Sequence, residues 1–238
     1  MTRSFTHAFQ PIVDTVSKSV FAHEALLRGV DNTSAYSVLS GLDEASHQLI
    51  DRRSRIQAIT TASSLGMTSS LTLNALPESL GDDADQTATL HGHAAINNFA
   101  LERIIIEITE YQVIADPQRF SDIVAQYRRL GVRLAIDDFG AGHSGLNLLA
   151  DFQPDLIKLD MNLVRDIQRR GPRQSIVRAI LQVCEDLAID IIAEGVETVD
   201  EFLWFEGNGV RLFQGYFFAR PGFESLPSVT FPIFALTP

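Results

Sequence analysis

Short apolar runs recur along the chain: FQPIV (9–13), SVFAHEALL (19–27), LTLN (71–74), RIIIEI (103–108), RLAID (133–137), LIKLD (156–160), DIIAE (190–194) and LFQGYFF (212–218). Their length and β-branched content predict eight strands. Between most of them, at 43–65, 118–130, 174–188 and 198–207, apolar residues return every three to four positions, the period of a helix with one buried face. That alternation predicts βα units around a parallel sheet, and eight of them predict a closed (β/α)8 barrel of the TIM type. An open doubly wound sheet shares the alternation and remains the alternative, because strand order is not written in one sequence.

The first connection breaks the regular plan. DTVSKS, between the first two strands, is far too short for the crossover that a parallel pair needs. The fold class is therefore α/β, a modified (β/α)8 barrel with an antiparallel first strand. No Pro, Ser or Gly-rich linker divides the chain, so residues 1–238 are expected to form a single domain. The polar run 81–98 is expected to start as a surface loop, turn helical in its second half and decorate the barrel.

Charge and cysteine content narrow the chemistry. A formal net charge of -11 argues against duplex nucleic acid as a partner, since that needs clustered Lys and Arg. An anionic ligand would need metal ions as intermediaries. The single cysteine, Cys184, falls on an apolar stripe with Ile176, Ile180 and Leu187 and reads as packing. Neither a signal peptide nor a charge-free run of membrane-spanning length is present, so the expected location is the cytoplasm. His91 and His93 lack acidic or thiol neighbours and read as solvated loop residues. Trp204, Phe202 and Phe205 read as helix packing.

The informative residues are the polar ones at the strand ends. Glu24, Asn74, Glu107 and Glu110, Asp137 and Asp138, Lys158 and Asp160, Glu194 and Glu197, and Gln214 each lie in or just after an apolar run. In a barrel the carboxyl ends of the strands share one face, so these groups converge. Two adjacent aspartates in such a place repel each other unless something positive is near. Carboxylates with one amide oxygen form a hard-oxygen site suited to two Mg²⁺ or Mn²⁺ ions about 3.5–4 Å apart, with Asp137 as the bridge. Ions so held bind a phosphodiester and acidify a water, with Lys158 orienting that water or stabilising the transition state. The expected chemistry is metal-assisted phosphodiester hydrolysis.

The ordered motifs FQPIVD, HEALLRG, LNALPES, IIIEITE, AIDDFGAGHSGL, DLIKLDMNLV, IIAEGVET and FQGYFFARP resemble the EAL domain, the cyclic di-GMP phosphodiesterase module of bacterial signalling. The likeness runs from about Phe9 to Pro221. It implies a barrel with an antiparallel first strand and hydrolysis of cyclic di-GMP to linear pGpG. It also implies that Glu24, Asn74, Glu107 and Asp137 hold one metal, and that Asp137, Asp138 and Glu194 hold the second. Asp138, Lys158 and Glu194 would be the catalytic residues, with Lys158 on the attacking water and Glu194 as general base, metal ligand or both. Arg28 would reach a substrate phosphate, Gln214 would complete the pocket with Glu197, and Glu110 would anchor the DDFGAGHSG loop. A homodimer with the loop around Gly140 near its interface is implied too, whereas the sequence does not reveal a regulator, for which a separate protein is one option.

The sequence departs from the family's usual pattern in three places. GVDNTSAYSVLSGL replaces the usual tryptophan and HP segment, and Ala141 stands for threonine, both as in a subgroup that includes active enzymes. His143 replaces a usual tyrosine in the loop, which weakens the expected ordering of that loop. The second reading, from a different class, is a barrel without turnover that acts as a cyclic di-GMP receptor or protein-interaction module.

Overall fold

The computed structural model describes residues 4–81, 84–110, 116–142 and 145–232. In chain order its elements are β1 (Phe5–Asp14), β2 (Ser19–Gly29), α1 (Ala35–Leu39), α2 (Glu44–Ser64), β3 (Ser70–Asn74), α3 (Ala84–Ile96), β4 (Ile104–Thr109) and α4 (Pro117–Arg129). There follow β5 (Arg133–Phe139), α5 (Gly145–Phe152), β6 (Leu156–Leu159), α6 (Met161–Val164), α7 (Gly171–Asp186), β7 (Asp190–Ala193), α8 (Val199–Gly207), β8 (Leu212–Gln214) and β9 (Gly222–Phe223). Strands β2 to β8 run parallel in sequence order, and β1 closes the barrel by pairing antiparallel with both β8 and β2. The reversed strand follows from its short turn. Asp14 Oδ1 accepts from the amides of Val16 and Ser17 at 2.9 and 3.2 Å, so the hairpin closes on its own first residue.

Strand alternation sorts the side chains into two cores. One set packs outward under the helices, for example Leu71, Leu73, Ile104, Ile106, Ile157 and Phe213. The other set, Ile12, Ala22, Ile105, Ala135, Leu156, Ile192 and Leu212, fills the barrel interior as a closed apolar layer. Because the side-chain period is two, the next inward position on each strand lies one layer higher. Those positions are Glu24, Glu107, Asp137, Lys158, Glu194 and Gln214, and on the reversed β1 the position two earlier is Gln10. The apolar layer thus forms the floor on which a polar layer stands.

Helix starts match the sequence chemistry. Asp43 caps α2, Asp116 caps α4 before Pro117, and Thr198 with Glu201 forms a reciprocal capping box on α8; each cap stabilises its helix by about 1 kcal/mol.

Several expectations need correction. The 81–98 segment is not decoration: α3 is the crossover between β3 and β4, with Leu90 and Ala94 buried in the outer core. His91 and His93 therefore lie on a helix rather than a loop, and residues 82 and 83 lie outside the described residues. The buried stripe of α7 is Val177, Ile180 and Cys184, while Ile176 and Leu187 face out, so the helix is rotated from the expected face. Burial pushes the Cys184 thiol up to about 12, in keeping with a packing role. The eighth strand stops at Gln214 because the chain turns at Gly215, where a Cβ would collide with the Val196 backbone. The segment after it folds back as β9 on β1, and Leu226, Val229 and Phe231 pack on the outer core. Trp204 lies partly buried beside buried Phe202 and Phe205.

Two buried histidines make stability pH-dependent. His7 and His23 each bond a serine hydroxyl at 2.8 Å, Ser54 and Ser69 respectively, and burial lowers both from 6.5 to about 4. The unfolded chain binds their protons first, so their contribution is intact above pH 6.5 and is lost as pH falls toward 4. Each loss is at most about 3 kcal/mol. Urea unfolding of the wild type beside a His7→Asn, His23→Gln variant should show the variant's curve flatter across that window; parallel curves would refute it.

Candidate functional site

The polar layer brings the predicted residues together around one ammonium. Lys158, 1% exposed, lies 2.7 Å from Glu194, 3.1 Å from Asp137 and 3.3 Å from both Glu24 and Glu107. Glu24 also accepts from Gln214 Nε2 at 2.6 Å and from Asn74 Nδ2 at 3.2 Å. Lys158 is therefore the positive group that the paired aspartates require.

Electrostatics sort the acids. Burial would raise Glu24, but Lys158 and the Gln214 and Asn74 amides outweigh it and hold it below its usual value. Burial dominates at Glu107 and Glu194 and pushes both well up, with help from neighbouring carboxylates. Burial also raises Asp138, to about 6, together with the charges of Asp137 and Asp160. Burial pulls Lys158 down, yet the ring of Asp137, Glu107, Glu194 and Glu24 wins and keeps it charged. One ammonium does not neutralise five acids, and Glu107 Oε1 is buried with no hydrogen-bond partner among the described residues. Such an atom costs energy until a donor or cation reaches it.

Adjacent residues of a regular strand face opposite sides, so Asp137 and Asp138 should not share a site. They do because β5 is irregular at this point. Its register against β6 shifts between Ile136 and Phe139, and Asp138 takes a left-handed φ of 54°. The loop beyond is tied down by Glu110, whose Oε2 accepts from the amides of Gly140 at 2.7 Å and Gly142 at 3.1 Å. Gly140 has φ 94°, and a Cβ there would meet the Leu163 side chain. His143 lies outside the described residues.

Among the described residues, two acid triplets could hold a cation: Glu24, Glu107 and Asp137, and Asp137, Asp138 and Glu194. Asp137 is common to both. Buried carboxylate oxygens with Asn74 at the edge are the donor set that Mg²⁺ or Mn²⁺ accepts, and the orphaned Glu107 oxygen fits such an occupant.

Two cavities meet at these acids. One, about 320 Å³, is lined by Gln10, Lys158, Asp160, Glu194, Glu197 and Gln214 among others; the second, about 350 Å³, is lined by Arg28, Asn74 and residues of α2. Glu24, Asp137 and Asp138 belong to both. Arg28 donates to the Leu27 carbonyl at 2.8 Å, Asp160 caps α6, and Glu197 pairs with Arg165 at 2.9 Å at the rim. Sequence reasoning missed Gln10, which strand reversal would have flagged by counting inward positions backward. It also missed His7, Asp51 and Ser54 on the second cavity, for which only the burial of β1 and α2 gives a signal.

The sequence profile of one family, described as EAL domain, matches residues 2–221. A standalone versatile EAL protein from Vibrio cholerae O395, in its c-di-GMP-bound form, superposes with a TM-score of 0.92 at 46% identity, covering 97% of each chain. Klebsiella pneumoniae BlrP1, in a manganese and cyclic di-GMP complex, gives 0.88 at 38% identity over 93% of this chain and 57% of that one. The blue light- and temperature-regulated antirepressor BluF of Escherichia coli K12 is 34% identical over 226 residues, 94% of this chain. The chain spans 56% of that relative's length. No helix among the described residues is long and apolar enough to cross a membrane.

Proposed function

The chain belongs to the EAL domain family, and from that premise we propose that it is a phosphodiesterase that hydrolyses cyclic di-GMP to linear pGpG with two Mg²⁺ or Mn²⁺ ions. The observation that carries this reading is the pair of acid triplets sharing Asp137 where the two cavities meet. A two-lobed cyclic dinucleotide fits that layout, with a phosphate at the acids and a base to either side. Cyclic di-GMP bound to the V. cholerae protein and to BlrP1 supports the same substrate.

Glu24, Asn74, Glu107 and Asp137 would hold one ion, and Asp137, Asp138 and Glu194 the other. When bound, the ions neutralise the acid layer, stabilise phosphate charge and acidify the attacking water. Lys158 donates a hydrogen bond to that water and holds it in line with phosphorus. Glu194 would take the water's proton as oxygen bonds to phosphorus. The opposite P–O ester bond breaks, and its ribose oxygen leaves as an alkoxide that takes a proton from solvent. Arg28 grips a phosphate oxygen, and Gln214 keeps Glu24 turned inward. A homodimer in the cytoplasm belongs to the same reading, with residues 1–238 acting as one domain.

Likeness to an antirepressor favours one other role, a receptor or protein-interaction module without turnover. Incubation with Mg²⁺ or Mn²⁺, following pGpG by chromatography, separates the two. Hydrolysis that a chelator stops supports the enzyme; a folded chain that binds cyclic di-GMP with no product under either ion supports the receptor.

Glu110→Ala removes two charge-assisted bonds of the loop that follows Asp138, each worth about 1.5–3 kcal/mol. It should lower kcat at least about tenfold while cyclic di-GMP affinity in chelator changes little. An unchanged kcat would show that Glu110 does not position the loop for catalysis.

A further inference from the structure

Glu201 is 1% exposed and has no part in the hydrolysis proposed above. It lies behind Glu197, which lines the first cavity, and its two oxygens serve two different loops. Oε2 accepts from the amides of Glu197 at 3.0 Å and Thr198 at 3.1 Å, both in the loop that leaves β7 with Glu194. Oε1 accepts at 3.0 Å from the amide of Asp166, 35 positions earlier and just beyond α6, the helix that follows Lys158 and Asp160. Asp166 presents that amide from a left-handed φ of 54°, a conformation that a non-glycine residue keeps where its surroundings fix it. Arg165 completes the arrangement, with Nη2 2.9 Å from Glu197 Oε1 and Nη1 3.7 Å from Glu201 Oε1.

Capping α8 needs only half of these contacts. The capping box is complete with Glu201 Oε2 and the Thr198 hydroxyl. The bond to Asp166 instead joins the β7 loop to the β6 loop, and the two loops touch beside the catalytic acids. Gly195, next to Glu194, has φ 65°, and a Cβ there would lie 2.8 Å from the Met161 Cβ. On its other flank the β7 loop is pinned to the β8 end, where the Val196 amide donates to the Gln214 carbonyl at 3.1 Å and the Phe217 amide to the Val196 carbonyl at 3.0 Å. A buried carboxylate is costly unless its hydrogen bonds are made, so the tie through Glu201 resists opening. Resting on the phosphodiesterase reading above, we propose that Glu201 is a positioning residue for hydrolysis. By joining the β6 and β7 loops it holds Glu194 at its 2.7 Å contact with Lys158.

Glu201→Gln divides the tie from the cap. Two N–H groups on the cap side draw the remaining oxygen there, as glutamine does in a capping box, and the new N–H₂ faces the Asp166 N–H without being able to accept from it. Thr198→Ala is the complement, removing the capping hydroxyl and leaving the bond to Asp166. In pGpG formation with Mn²⁺, Glu201→Gln should lower kcat about tenfold to a hundredfold with KM within about threefold of wild type, as lost alignment does. Thr198→Ala should keep kcat within about threefold although α8 is less stable. Hydrogen exchange of the metal-free chain, followed by mass spectrometry, reads the tie itself: peptides covering Asp166 should exchange faster in Glu201→Gln and at the wild-type rate in Thr198→Ala. An Asp166 amide without protection in the wild type would overturn the tie before any variant is made. Wild-type kcat in Glu201→Gln, or an equal loss in both variants, would reduce Glu201 to a helix cap. A wild type that protects Asp166 yet yields no pGpG overturns the phosphodiesterase reading, and the positioning role with it, while the tie stands as a structural bond.

Discussion

Replacing Lys158 by methionine is expected to cost about 3–5 kcal/mol of stability in chelator-treated buffer, the range for removing one partner of a buried ion pair. Methionine fills a similar volume, so the loss is electrostatic. Four carboxylates now within 3.3 Å of the ammonium would face one another on a floor of Ile105, Ala135, Leu156 and Ile192, with no other cation paired to them among the described residues. The second part of the expectation distinguishes a metal site from a structural salt-bridge cluster. Divalent ions bind only the folded form, so Mn²⁺ at about a hundredfold over its Kd should return about 2.7 kcal/mol. Activity should stay about a hundredfold or more below wild type under saturating Mn²⁺ if Lys158 orients the water as proposed. Urea unfolding with and without Mn²⁺ reads the first part, and pGpG formation the second. A variant as stable as wild type in chelator would contradict the central place given to Lys158.

Glu24→Ala should separate activity from stability in the other direction. Lys158 keeps Glu107, Asp137 and Glu194, so the ammonium remains paired and the loss of stability should be well below that of Lys158→Met. Turnover should fall about a thousandfold or more at moderate Mn²⁺, because Glu24 belongs to one acid triplet and is the group on which Gln214 and Asn74 converge. Cyclic di-GMP binding in chelator should persist, because the substitution leaves Arg28, proposed to hold a phosphate, in place. Activity within tenfold of wild type would remove Glu24 from the ligand set.

The strand-end acids were legible in the sequence because a barrel converts a one-dimensional pattern, an apolar pair followed two positions later by a polar residue, into a ring. Glu107, Asp137, Lys158 and Glu194 each stand two positions beyond a residue of the apolar floor. Gln10 escaped because β1 runs backward, so the polar position precedes Ile12 rather than following it. Asp138 reaches the site through a break in β5 pairing and a left-handed backbone, neither of which is written in the strand period. The wall of the second cavity was illegible for another reason. Asp51 and Ser54 look like ordinary polar residues of a helix, and only the packing of α2 against β1, with His7 on Ser54, turns them inward. The segment 81–98 misled because its polarity resembles a loop, while two apolar residues four apart, Leu90 and Ala94, were enough to seat α3 on the barrel.

The most direct test of a two-ion phosphodiesterase site is a Mn²⁺ titration of the metal-stripped wild type, counting bound ions by electron paramagnetic resonance and following pGpG in the same samples. The expected result is no product without Mn²⁺, activity that rises as two ions bind per chain, and loss of both ions and product in Asp137→Ala, the residue common to the two triplets. Product formed at full rate in the stripped protein, or two bound ions in a folded wild type that yields no pGpG, would contradict it.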